Sequence, residues 1–132
     1  MNIESHLESL RESVKEVDDA VLAGLVAKQR TLGFHTSAAA VDILEIMLHK
    51  HKLIDLGFVI KHDWFNSSRK IKEKFSFDFP HKKTILEHIS SIEGIRNQLC
   101  YGKRQPEEVL EKLVNDFNSL KKLFCEVTGY EL

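Results

Sequence analysis

The stretch Ile85-Leu86-Glu87-His88-Ile89-Ser90-Ser91-Ile92-Glu93-Gly94-Ile95-Arg96-Asn97-Gln98-Leu99-Cys100-Tyr101-Gly102 decides the fold. Its apolar stripe runs Ile85, Ile89, Ile92, then position 96, then Leu99. Steps of four, three, four and three mark one face of an amphipathic helix. Position 96 is arginine where the stripe asks for an apolar side chain. An arginine aimed at a helix seam loses hydration that only a partner can replace. Such a break inside an otherwise consistent segment marks a candidate functional position. The structural alternative is an arginine at the edge of the stripe, reaching water along its own stem.

Beyond this helix, from about Lys82 to Cys100 and ended by Gly102, Lys103, Arg104 and Gln105 make a short basic turn. Pro106 then fits the first position of a last helix, with Glu107 and Glu108 at its positive end. Leu110, Leu113, Phe117, Leu120, Phe124 and Val127 form its seam, and Thr128-Gly129 closes it. Toward the N-terminus, Ile3, Leu7, Leu10, Val14, Val17 and Val21 form a heptad-like seam on a long first helix. Ala20 to Ala27 is apolar nearly all round and is expected to be buried, partly by a second subunit. Gly33 is expected to end that segment, with Thr36 or Ser37 capping a second helix from about Ala38 to about Lys52.

The second helix reads as the central one. Its polar stripe is Asp42, Glu45, His49 and Lys52, expected to be mostly solvated. A short third helix is expected within Asp63–Lys74, with Trp64 and Phe65 inside and Arg69, Lys70, Lys72 and Lys74 outside. That basic face is either plain solvated surface or a phosphate contact. Phe75, Phe77 and Phe79 alternate, but a lone strand has nothing to pair with, so they read as a loop plugging rings into the core. The prediction is an all-α antiparallel bundle of about five helices in one domain, residues 1–132, forming a homodimer.

Composition sets the limits. Of 132 residues, 42% are hydrophobic and 30% charged, which excludes a disordered chain. Net charge is −1, so any nucleic-acid contact must come from a local patch and not from a global field. No run of 18 apolar residues occurs, and the periodic, acidic start Met1-Asn2-Ile3-Glu4-Ser5 does not read as a signal peptide. Cys100 and Cys125 form no CxxC or metal pattern and are expected to be reduced thiols in the cytoplasm.

The segment from Ile92 to about Phe124 resembles the C-terminal half of a HEPN domain (higher eukaryotes and prokaryotes nucleotide-binding), closely over about a quarter of the chain. That family's signature is Arg, a polar residue such as Asn, a short spacer, then His, often with Gly next, where the penultimate helix gives way to the last. Arg96, Asn97, Leu99 and Gly102 fit it, and Tyr101 stands where the histidine belongs. The resemblance implies an all-helical, dimeric, metal-independent ribonuclease with the histidine as base and the arginine as electrostatic stabiliser. It assigns the catalytic positions to Arg96, Asn97 and Tyr101, with no cofactor; the local basic patch and basic turn add Arg69, Lys70, Lys103 and Arg104 as candidate RNA contacts. A phenol ionises near ~10, so tyrosine is a poor base at neutral pH, though it can donate a hydrogen bond or stack on a base. The departure leaves the site either altered or inactive.

Two other readings stand beside it. Asp19-Ala20-Val21-Leu22 and Asp42-Ile43-Leu44-Glu45 resemble ribonuclease III motifs, which implies Mg²⁺ held by Asp19, Asp42 and Glu45. In the third reading the chain is a non-catalytic dimerisation or adaptor module whose seams bind a partner protein.

Overall fold

The structure, a computed structural model, describes all residues from Met1 to Leu132. Five α-helices run in chain order: α1 (Ile3–Ala23), α2 (Gln29–Lys50), α3 (Ser68–Lys74), α4 (Lys82–Tyr101) and α5 (Glu107–Thr128). A short 3-10 turn, His62–Asn66, precedes α3, and there is no strand. The all-α bundle expected from the periodicities is therefore what the chain forms.

Helix α2 is central and packs against α1, α4 and α5. Ala39, Ala40, Ile43, Leu44, Ile46, Met47 and Leu48 on it are all 0–1% exposed. Each such large apolar side chain contributes about 1.5–3 kcal/mol on burial. By length and composition α2 could cross a membrane; in this fold its apolar side chains are the core. Leu10, Val14 and Val17 of α1, Ile85, Ile89 and Ile92 of α4, and Phe117, Leu120 and Phe124 of α5 complete that core. Phe75 and Phe79 are buried and Phe77 half-buried, with rings packed in series onto Trp64 and Phe65, as expected for a plugging loop.

Two expectations need correction. Gly33 does not end a helix. The first helix ends at Gly24, whose φ of 129° suits glycine, and Gly33 lies in the second turn of α2. Its missing side chain serves a close helix crossing, because a Cβ there would stand 2.8 Å from Cβ of Leu99 on α4. Thr36 and Ser37 accordingly lie inside α2 and not at its cap; Thr36 Oγ1 donates back to the Leu32 carbonyl at 2.7 Å.

The apolar segment Ala20–Ala27 is only partly covered by this chain. Ala20 is buried and Leu25 and Val26 half-buried, but Leu22 is 87% exposed and Val21, Ala23 and Ala27 are exposed too. The helix stops there, so the last turn of α1 has no α2 partner beyond it.

The basic face of Asp63–Lys74 is split into the 3-10 turn and α3 at Ser67, whose hydroxyl accepts the Lys70 N–H at 3.3 Å. The second correction concerns the polar stripe on α2. Glu45 is 4% exposed and Asp42 and His49 are half-buried, because α1 lays His6 across them.

Candidate functional site

Arg96 leaves α4 toward α2. Its guanidinium carbon stands 5.5 Å from the centre of the Phe34 ring, a cation–π distance. Its Nε is buried without a hydrogen-bond partner. Arg30, one turn before Phe34 on α2, lies 5.7 Å from the same ring and 5.9 Å from that of Tyr101. Tyr101 meets Phe34 edge-on at 5.8 Å and remains 66% exposed. Two guanidiniums and a phenol therefore surround one phenylalanine.

The turn after α4 adds to this charge. Tyr101, Lys103, Arg104 and Arg30 line one hollow with Leu99, Cys100 and Gly102. Burial pushes the Cys100 thiol up, against the pull of Arg96 and Arg30, so it stays a neutral thiol. None of Arg30, Arg96, Lys103 and Arg104 is in an ion pair within 4.0 Å. Gln29, fully buried at the start of α2, fixes the turn. Its Nε2 donates to the carbonyls of Leu99 (3.3 Å) and Lys103 (3.0 Å), and its Oε1 accepts the Gln105 N–H at 2.7 Å.

One turn before Arg96, Glu93 points into the same α2–α4 seam, with its side chain 1% exposed. Ser37 Oγ donates to its Oε1 at 2.7 Å. His62 Nδ1, from the 3-10 turn, stands 2.9 and 3.0 Å from the two carboxylate oxygens and 3.0 Å from Ser37 Oγ.

The remaining sequence-derived residues lie elsewhere. Asn97 is exposed with no hydrogen bond from its side chain. Arg69 and Lys70 sit on α3, which packs on the 3-10 turn, and face Glu73 at 4.0 Å and Asp63 at 3.5 Å. They are not part of the hollow that Lys103 and Arg104 share.

Asp19, Asp42 and Glu45 are not brought together. The pairs His6–Asp42 and Ser13–His35 fix the antiparallel register of α1 on α2. Asp19 lies 13 residues past His6, roughly 20 Å along the helix. There it is exposed and paired with Lys15 at 2.9 Å. Asp42 and Glu45 instead clamp one imidazole: Asp42 Oδ1 is 2.7 Å from His6 Nδ1, and Glu45 Oε2 meets Nε2. Glu45 Oε1 accepts the Ile60 N–H at 2.9 Å. Burial raises Asp42 from the ordinary carboxylate range, against the hydrogen bond from His6. Burial, and secondarily the charge of His6, lowers His49. This cluster joins α1 to α2 and leaves no third carboxylate for a cation.

The chain matches no family model, no curated protein and no solved structure. Its chemistry is therefore read from the residues alone. Unpaired cations beside exposed aromatic surface suit an anion with a flat face: phosphates for the guanidiniums and ammonium, a base for the rings.

Sequence reasoning missed Arg30, Phe34, Gln29, Ser37, Glu93 and His62 as members of this region. The signal for Glu93 was present, because it sits four residues after Ile89 and three before Arg96, on the interrupted stripe. Arg30 and Phe34 have i,i+4 spacing, but Gly33, expected as a helix end, falls between them.

Proposed function

We propose that the chain is an RNA-directed helical domain of the ribonuclease-like, HEPN type. In this reading Arg96, Arg30, Lys103 and Arg104 contact phosphates, and the exposed ring of Tyr101 receives an unstacked base. One observation supports it above the others. Arg96 sits in a helix seam with no carboxylate partner, stacked on Phe34 and linked through that ring to Tyr101. Arg96 is half-buried and only its Nε is occluded, so the tip of the guanidinium is left free for an anion. The cluster also lies where the penultimate helix gives way to the last, the place the motif occupies in that family. Phosphate contacts of this kind give affinity, and the stacked base gives preference for single strands.

The chain's exposed Leu22 and Val21 favour a second copy of the chain as an additional partner, covering the end of α1. The homodimer belongs to the proposal on that ground.

Single-stranded RNA binding followed by fluorescence anisotropy across a salt series tests the reading. Three or four phosphate contacts give a slope of log K on log salt of about −2 to −3. Binding that is absent, or that ignores salt, refutes it.

A further inference from the structure

We propose that His62 is the proton acceptor of an RNA-cleaving site, oriented by Glu93 and acting beside Arg96. The inference rests on the RNA-directed reading above and adds to it the base that Tyr101 does not supply.

The first ground is the tautomer. The Glu93 carboxylate is buried and takes the Ser37 hydroxyl on one oxygen. His62 Nδ1 stands within 3.0 Å of both its oxygens. With Nδ1–H directed at the carboxylate, the neutral imidazole has its lone pair on Nε2. The second ground is access. The His62 side chain is 41% exposed, and its Nε2 makes no hydrogen bond and is not among the occluded unpartnered atoms. The third is rigidity. Ile60, Trp64 and Phe65 on either side are buried, so the 3-10 turn holds the imidazole against α2 and α4.

The fourth ground is placement. His62 touches Ser37 and Glu93; Arg96 stacks on Phe34. On each helix the two positions are three residues apart, about 4.5 Å of rise. The contacts of the imidazole and of the guanidinium therefore lie one helical turn apart along the same α2–α4 seam. His88 offers no such pairing. It lies eight residues before Arg96, roughly 12 Å along α4, and faces Asp116 at 3.5 Å.

The step balances without a metal or a redox partner. Nε2 of His62 takes the proton of the 2′-hydroxyl, and O2′ forms a bond to phosphorus. The P–O5′ bond breaks, and the 5′ oxygen leaves with the bonding pair. It takes a proton back from the imidazolium through solvent, so His62 ends neutral. Arg96 offsets the charge on the non-bridging oxygens. The products are a 2′,3′-cyclic phosphate and a 5′-hydroxyl. Glu93 is a positioning residue.

The test uses the full chain, EDTA and a labelled single-stranded oligoribonucleotide of mixed sequence. Wild type should cleave it to cyclic-phosphate ends and leave a fully 2′-deoxy copy intact. His62→Gln should keep RNA binding and lose about 10²–10⁴-fold in rate. Glu93→Gln should lower the rate per folded molecule and shift its pH profile, which loss of fold would not produce. Wild type that binds RNA without cleaving it overturns the base assignment and leaves the RNA-directed reading standing. Cleavage of the 2′-deoxy copy, or a His62→Gln protein as active as wild type, also overturns the assignment. Wild type that does not bind RNA at all removes both readings.

Discussion

Gly33 and Leu99 mark a close crossing of α2 and α4: a Cβ on Gly33 would lie 2.8 Å from Cβ of Leu99 and 3.1 Å from Sγ of Cys100. That crossing lets Phe34 and Arg96, on the adjoining positions, meet at 5.5 Å. Cβ atoms that close force the helices apart. Gly33→Ala should therefore destabilise by about 1–3 kcal/mol from overpacking, despite the helix-propensity gain of alanine. Gly94 on the same helix pair is exposed with nothing within 4 Å of a built Cβ, so Gly94→Ala should stabilise by about 0.5–1 kcal/mol. Paired urea titrations of the two variants check the sign of each. If Gly33→Ala is the stabilising one, the tight crossing is not real.

His6 between Asp42 and Glu45 predicts a second large effect. Removing one member of a buried charged set leaves the others uncompensated, at roughly 3–5 kcal/mol. His6→Ala should cost about that much, and His6→Leu with Asp42→Asn and Glu45→Gln should recover most of it. Thermal unfolding of both proteins decides. A His6→Ala protein as stable as wild type would show the three groups to be solvated.

His49 sets an acid sensitivity. Its folded pKa lies below the usual 6.5 because of burial first and the His6 charge second. Just below pH 6.5 the unfolded chain therefore binds the proton and the native state does not. Stability falls as pH drops through 6.5 toward the folded value. Asp42 acts with opposite sign in a lower window that begins at its usual 3.8, since its folded pKa is raised. In that window the native state holds the proton longer, so acidification relieves a cost. His49→Gln should flatten the loss of Tm as pH is lowered from 7 through 6.5. An unchanged slope would place the proton uptake on another group.

The helices were legible because their apolar steps are regular: Leu110 to Phe124 on α5 and Ile85 to Ile92 on α4 are buried as their spacing predicts. The misplaced start of α2 came from reading Gly33 as punctuation. Glycine serves both helix ends and close crossings, and only the position of Leu99 in space separates the two. The α2 stripe was misjudged for a related reason. His6 falls on the buried face with Leu10, Ser13 and Val17, yet a polar residue does not register in an apolar count. Arg96 was legible as a break in a stripe. Its partner Phe34 was not, since 62 residues of chain separate them. Glu93 and His62 likewise become a pair only through the turn that Trp64 and Phe65 anchor.

The most direct test is to substitute Arg96→Ala and measure Tm and single-stranded RNA affinity on the same folded preparation. A charge-assisted phosphate contact is worth about 1.5–3 kcal/mol, so affinity should drop by tenfold or more. The salt slope should become shallower by about 0.7, while Tm changes little. A lowered Tm with unchanged RNA affinity per folded molecule would contradict the account and make Arg96 a structural residue of the α2–α4 seam.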